Sequence, residues 1–391
     1  LIMPFLMGIS ALGFMIGTGG SAIVAKTLGE GKTEKANEYF SMLVYITAIG
    51  GIIIAILSMF LVKPVAILFG ASGALLDNYI LYGRILCISL PAFMLQNVFQ
   101  SFFVTAEKPH LGLRVIVIAG VTNMVLDFLF VAVLHFGLPG AGFATVCGEF
   151  IGGLFPLFYF GRKNSSLLKL GNTHFHGRIL LKTCANGSSE LMTNLSSSIV
   201  NALYNMQLMK FAGEDGVAAY GTIMYVNFIF VSIFLGYAIG SAPIVSYHYG
   251  ANNQDELKNL FLKSIRLIGT WAVSLFVIAQ LIATPLATLF VGYDHGLFEL
   301  TRNGFRLYSF AFLINGFNIY GSAFFTALNN GLLSALISFL RTLVFQMAIV
   351  LLLPLILGIN GVWCSVAIAE LLTLCVTGTF IIRKRSTYHY F

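Results

Sequence analysis

Long runs of apolar residues are the feature of this sequence that most restricts its fold. Each run is near or above the ~20 residues that a helix needs to cross ~30 Å of hydrocarbon. Only 9% of the residues are charged and the mean hydropathy is +0.89, whereas soluble domains carry about 25% charged residues. The sequence therefore predicts an all-α polytopic membrane protein. Eleven spans are predicted, at about 1–28, 36–68, 79–106, 113–135, 142–160, 179–211, 217–248, 257–290, 301–327, 333–356 and 362–382.

The net charge of +7 is distributed unevenly between alternate loops. One side of the membrane would carry only five of the 22 basic residues, namely Lys63, Arg84, Lys210, Arg302 and Arg306. Because basic residues favour cytoplasmic loops, the other side is predicted to be cytoplasmic, including the loop 161–178 and the tail 383–391. The charge thus orients the chain in a lipid bilayer and predicts no nucleic-acid partner.

Two halves of the chain repeat one pattern. GLPGAGFATVCGE at 137–149 corresponds to GINGVWCSVAIAE at 358–370, with an offset of 221 residues. The second copy contains six spans and the first contains five, so a further helix is expected upstream of residue 1. We therefore predict an N-terminal lobe at 1–160 (helices 2 to 6), an interlobe loop at 161–178 and a C-terminal lobe at 179–382 (helices 7 to 12), followed by the tail. An even number of spans per copy predicts a parallel repeat.

Four ordered motifs carry a family resemblance: GGSAIVAKTLGEGKTEKA, FVTAEKPHLG, NMVLDFLF and GLPGAGFATV. Together they resemble the multidrug and toxic compound extrusion (MATE) transporters, nearer the bacterial multidrug and DinF-like branch. The resemblance implies two six-helix lobes with a cavity between them. It also implies a monomer in the plasma (inner) membrane that exports amphipathic, often cationic compounds in exchange for H⁺ or Na⁺, and that needs no cofactor.

The same resemblance points to an ion-coupling site around Asp127. The matching positions of proton-coupled members are Asp127, Asn123 and Thr145, with Tyr82 as a further candidate. Asn123 and Asp127 are four residues apart and so share one helix face. An acid within a span is a functional hypothesis by default, here a proton site or a Na⁺ site. The alternative is a static hydrogen bond between helices. The repeat places Ala348 opposite Asp127, which favours a function peculiar to one lobe.

A polar stripe on helix seven is the predicted wall of a substrate cavity. Its members recur every three or four residues and are Glu190, Asn194, Ser198, Asn201 and Asn205. In lipid such a stripe must face water or protein, so polar packing against neighbouring helices is the alternative. Other branches of the family use a Glu in helix seven and an Asp in helix ten. Helix ten here offers only Asn315 and Asn318, which disfavours that arrangement.

The remaining charged residues within spans are predicted to be structural. Glu149 and Glu370 occupy equivalent positions of the repeat, which favours a structural or hinge role over two coupling sites. Arg341 lies near a cytoplasmic helix end, from which its side chain is expected to reach the interface.

Enzyme chemistry finds no support in the motifs. GEGKT at 29–33 ends like a phosphate-binding loop but lacks the required first glycine, and HExxH is absent. No metal-ligand cluster is expected. Two other functions remain open, a flippase for lipids or lipid-linked oligosaccharides and a membrane interaction protein that transports nothing.

Overall fold

The computed structural model describes residues 3–68 and 73–390, and these residues are almost entirely helical, without a strand. The prediction of an all-α polytopic protein is confirmed. Residues 1–2 of the first predicted span lie outside the described residues. The principal helices are α1 (Met3–Gly29), α2 (Thr33–Leu68), α3 (Gly73–Thr105), α4 (Pro109–Asp127), α5 (Gly137–Gly161), α6 (Gly177–Gly250), α7 (Gln254–Val291), α8 (His295–Tyr308), α9 (Phe312–Ala327), α10 (Gly331–Phe339), α11 (Gln346–Leu352), α12 (Pro354–Leu357) and α13 (Ile359–Tyr388).

Helix α6 accounts for two of the predicted spans. Its 74 residues would be roughly 110 Å long as a straight helix, more than three bilayer cores. Gly213 interrupts it with φ 62° and ψ −150°, a backbone conformation open essentially to glycine alone. With α6 counted as two, the described residues contain eleven apolar helical stretches long enough to span a membrane.

Within residues 3–68 and 73–390, two short π-helical segments interrupt the regular helices. One, Phe128–Val133, follows α4 directly, and the other, Leu340–Phe345, joins α10 to α11. The wider turn of a π-helix displaces the side chains around it, and such segments are frequent at functional sites. Here the first begins beside Asp127 and the second contains Arg341.

The chain divides into two compact units, Leu1–Asn194 and Leu195–Phe391. The boundary falls inside α6, beyond the predicted interlobe loop. The core of the first unit contains a cluster of phenylalanines, with Phe99 stacked on Phe160 at 5.6 Å between ring centroids. In the second unit Tyr390, fully buried, packs on Phe261 and Phe324 and so holds the segment after α13 against the core.

The interlobe loop is bound to α2 along much of its length. Asn37 accepts a hydrogen bond from the backbone N–H of Lys169 at 2.7 Å, and Ser41 accepts one from Gly171 at 3.0 Å. Thr173 donates to the backbone carbonyl of Glu38 at 2.7 Å. These bonds satisfy backbone groups of an irregular segment, so the loop belongs structurally to the first unit.

Candidate functional site

Helices α3, α4 and α5 meet in the first unit around the residues predicted for ion coupling. The close approach of α4 and α5 depends on a small residue. A Cβ added to Gly148 would lie 3.0 Å from the backbone oxygen of Ala119 and 3.2 Å from the Cβ of Asn123. Small residues at helix interfaces allow backbones to approach in this way. Gly148 therefore brings the polar face of α4 against α5.

Asn123 and Thr145 form a direct hydrogen bond between these two helices. The Asn123 Nδ2 donates to Thr145 Oγ1 at 3.4 Å, and the same Thr145 hydroxyl donates to the carbonyl oxygen of Ala141 at 3.0 Å. The second bond leaves the Thr145 oxygen free to act as an acceptor towards α4. Two of the predicted coupling residues are thus in contact.

Asp127 is the last residue of α4, at the start of the π-helical segment. Its Oδ1 is enclosed and has no hydrogen-bond partner among the described residues. The hydroxyl of Tyr82, on α3, lies within electrostatic range of this carboxyl group and of Glu149. A buried polar atom without a partner is costly, so Asp127 is a candidate binding group for a cation.

Glu149 belongs to the same group of side chains, although the sequence favoured a structural role for it. It interacts with the hydroxyl of Ser89 on α3. Together with Thr145, one helical turn away, it lines a mostly apolar pocket of about 120 Å³. The i to i+4 spacing of Thr145 and Glu149 was the available signal, since it places both on one face of α5.

Glu370, the repeat counterpart of Glu149, has an entirely different environment in the second unit. Arg341 donates from Nε to both carboxylate oxygens, at 2.8 and 3.0 Å, and its terminal nitrogen lies 2.8 Å from Oε1. Asn318 donates to the same carboxylate at 2.7 Å. The expectation that Arg341 extends to the membrane interface is therefore wrong, because a buried carboxylate holds it inside the unit.

The polar stripe of α6 is divided by the boundary between the units. In the first unit, Asn194 donates to the backbone oxygen of Glu190 at 2.8 Å, and both side chains are half-buried. In the second unit, Ser198, Asn201 and Asn205 are exposed, and Asn201 accepts a hydrogen bond from Tyr220 at 3.0 Å.

The residues described contain no group of three or more His, Cys, Asp and Glu side chains placed to hold a metal ion. The polar side chains around Asp127 instead offer oxygen atoms from a single carboxylate and from neutral groups. Carboxylate, hydroxyl and amide oxygens suit hard cations such as Na⁺, and a carboxylate alone suffices for a proton.

Comparison with known proteins identifies the family of this chain. The family model MatE matches residues 1–129 and 191–373. The multidrug export protein MepA of Staphylococcus saprophyticus is 21% identical over 386 residues, covering 98% of this chain and 84% of that protein. The DNA damage-inducible protein F of Escherichia coli is 27% identical over 241 residues, covering 60% of this chain and 51% of that protein.

The fold is shared with solved structures at low sequence identity. The crystal structure of a MATE protein in complex with MaL6 superimposes with a TM-score of 0.94 at 23% identity, covering 100% of this chain and 88% of that one. The family match extends over both units and includes the region of Asp127. The chain is a multi-pass membrane protein that belongs to the MatE family of multidrug and toxic compound extrusion transporters.

Proposed function

We propose that this chain is a secondary active exporter of amphipathic, often cationic compounds, driven by the exchange of H⁺ or Na⁺ at Asp127. The observation that carries the proposal is the enclosed, unpartnered Oδ1 of Asp127 beside the Asn123–Thr145 hydrogen bond. Export of several compounds is supported by the similarity to a protein named as a multidrug exporter. Transport proceeds by alternating access and requires no cofactor.

The coupling ion acts by neutralising Asp127. Without it, the carboxylate is poorly compensated inside an apolar helix and attracts either the ion or a cationic substrate. Once the ion is bound, the charge is cancelled and the attraction for a cation is lost. Tyr82 on α3 lies within electrostatic range of Asp127, and Asn123, one turn before Asp127, is hydrogen-bonded to Thr145 on α5. We therefore expect a change of charge at Asp127 to affect both neighbouring helices.

The exposed stripe residues of α6 are suited to an amphipathic compound. Ser198, Asn201 and Asn205 offer hydrogen-bonding groups next to exposed apolar side chains such as Ile199 and Met206. A polar group that faced lipid would lack hydrogen-bond partners, so this face is proposed to line the water-filled pathway of the substrate. Glu190 and Asn194 continue the stripe in the first unit.

The energy available from ions is sufficient without a nucleotide. One elementary charge moving down roughly 100 mV releases ~2.3 kcal/mol, equivalent to an about fifty-fold concentration gradient. The C-terminal tail is proposed to face the cytoplasm, the side from which substrates are taken.

Asp127→Asn tests the proposal in proteoliposomes loaded with a cationic dye such as ethidium. An imposed H⁺ or Na⁺ gradient is applied separately, and the dye gradient at steady state is measured. We expect the variant to lose ion-driven accumulation while its thermal unfolding midpoint is nearly unchanged, because the substitution is isosteric. Asp77→Asn provides a matched control, since Asp77 is an exposed carboxylate on α3 of the same unit.

The wild type identifies the coupling ion, because a dye gradient should form only when the gradient of that ion is imposed. Full ion-driven accumulation by Asp127→Asn would refute the coupling role. Ion-independent movement of fluorescent lipid by the wild type, with no dye transport, would instead support a flippase.

A further inference from the structure

The carboxylate of Glu370 is buried in the second unit and is compensated by both an arginine and an amide. Its side chain is 2% exposed, and that of Arg341 is 15% exposed. Three elements supply the contacts: Arg341 comes from the π-helical segment Leu340–Phe345, Asn318 from α9 and Glu370 from α13. Asn318 also donates to the backbone oxygen of Glu370 at 2.8 Å, which fixes the amide against α13.

Among the described residues, the other titratable groups within electrostatic range of this ion pair are neutral phenols. The phenol groups of Tyr204 on α6 and Tyr308 on α8 are buried and lie within electrostatic range of Glu370. Tyr220 adjoins them, its ring stacked on that of Tyr204 at 5.4 Å between centroids. The interacting groups thus comprise one cation, one anion, an amide and three phenols, and the cluster has no net charge.

The first unit has an acid at the equivalent position and no arginine paired with it. The repeat places Glu149 opposite Glu370. Because α3 and α9 end, and α4 and α10 begin, 222 residues apart, Ala119 stands opposite Arg341. Glu149 interacts with the hydroxyl of Ser89, and no ion pair to it is found among the described residues. A guanidinium is therefore paired with this carboxylate in the second unit alone.

This comparison suggests what Arg341 does. An acid and an amide from neighbouring helices form the kind of oxygen-rich site that binds a hard cation. In the second unit the positive charge comes from the chain itself. The guanidinium binds the carboxylate through two nitrogens, a geometry that a rigid planar group provides and a mobile ion does not.

We propose that Arg341 is a built-in counter-cation that occupies a cation site formed by Glu370 and Asn318, so that the second unit binds no coupling ion. Removing the guanidinium converts this position into a site for a small monovalent cation, either Na⁺ or H⁺. The inference goes beyond the proposed function, which concerns Asp127 in the first unit and makes no statement about Glu370.

The test measures cation binding by the purified full-length chain in lipid nanodiscs. All variants carry Asp127→Asn, so the first-unit carboxylate does not contribute. Three further variants are compared: Arg341→Gln, Arg341→Lys, and the double change Arg341→Gln with Glu370→Gln. Bound ²²Na⁺ is counted at pH 8.5. Thermal midpoints are recorded in NaCl and in choline chloride, and again at pH 6.0.

Only Arg341→Gln is expected to gain a site. It should bind approximately one ²²Na⁺ per chain at pH 8.5, or gain thermal stability at pH 6.0 relative to the double variant, because a ligand that binds only the folded state raises the midpoint. Arg341→Lys keeps a cation beside Glu370, and the double variant has no carboxylate there. Neither should respond to Na⁺ above the level of the Asp127→Asn background.

Three other results are possible. If the Asp127→Asn background already binds ²²Na⁺ and the double variant does not, Glu370 is an ordinary ion site and the proposal is overturned. A folded Arg341→Gln variant that responds to neither Na⁺ nor pH also overturns it. If Arg341→Gln misfolds, recovery of monodisperse protein in NaCl or at pH 6.0 supports the proposal, and failure of both refutes it. None of these readouts requires transport, so a failure here is distinct from a failure of coupling at Asp127.

Discussion

Replacing Gly153 by alanine would measure how tightly α3 and α5 pack behind the Asp127 site. A Cβ at this position would lie 2.2 Å from the backbone oxygen of Ala92 and 2.8 Å from its Cα. Ordinary contact between carbon and oxygen is about 3.3 Å, so the two helices must separate by roughly 1 Å. Both atoms belong to the backbone of α3, and no side-chain rotation can relieve the overlap.

The expected loss of stability follows from two opposing terms. Overpacking of a well-packed interface costs typically ~1–3 kcal/mol. Alanine is favoured over glycine within a helix by about 0.5–1 kcal/mol. The net effect is a destabilisation of the first unit by up to about 2.5 kcal/mol. Tyr82 on α3 would also move away from Thr145 and Glu149 on α5, so ion-driven transport should fall further than stability alone explains.

Gly120→Ala is the matched control for this prediction. Gly120 lies on α4 of the same unit, and an added Cβ would have no atom within 4 Å. It should therefore gain the helix-propensity term alone, about 0.5–1 kcal/mol. Thermal unfolding of the purified protein, followed by size-exclusion chromatography after heating, ranks the variants. Equal midpoints for Gly153→Ala and Gly120→Ala would refute the interpretation of a rigid backbone contact.

Two further substitutions test other parts of the structure. Gly213→Ala should destabilise the second unit by ~1–3 kcal/mol, because a φ of 62° with a ψ of −150° suits only glycine. Gly221→Ala, in the same helix, should be tolerated, since an added Cβ has open space there. Equal thermal midpoints for the two variants would contradict this. Thr145→Val removes the acceptor for Asn123 and should cost only about 0.6 kcal/mol, yet raise the ion concentration needed for half-maximal dye transport. An unchanged ion requirement would remove Thr145 from the site.

The two glutamates of the repeat show why equivalent positions need not share a function. Glu149 lines a small pocket beside Thr145, and Glu370 is locked into an ion pair. The difference originates in Arg341, whose counterpart on α4 is Ala119. After a duplication, one copy can thus pair a carboxylate with an arginine while the equivalent carboxylate of the other copy has no counter-charge. Under the two proposals, this asymmetry confines ion coupling to the first unit.

Sequence alone determined the membrane class, the helical architecture, the repeat and the family resemblance. These properties follow from local composition and periodicity, because a chain in hydrocarbon must satisfy its backbone hydrogen bonds within each span. The pairing of Asn123 with Thr145 was also accessible, through the motifs that they share with a known family. The break at Gly213 fell in the polar gap between two predicted spans, where a glycine is expected.

Tertiary structure alone decided which charges are compensated. Arg341 and Glu370 are far apart in sequence and on different helices, and nothing local indicates that a π-helical segment carries the guanidinium to the carboxylate. In the same way, the pocket at Glu149 and the unpartnered Oδ1 of Asp127 depend on the approach of helices through Gly148 and Gly153. Burial and pairing are properties of packing between helices, so hydropathy could locate the acids within spans but could not assign their partners.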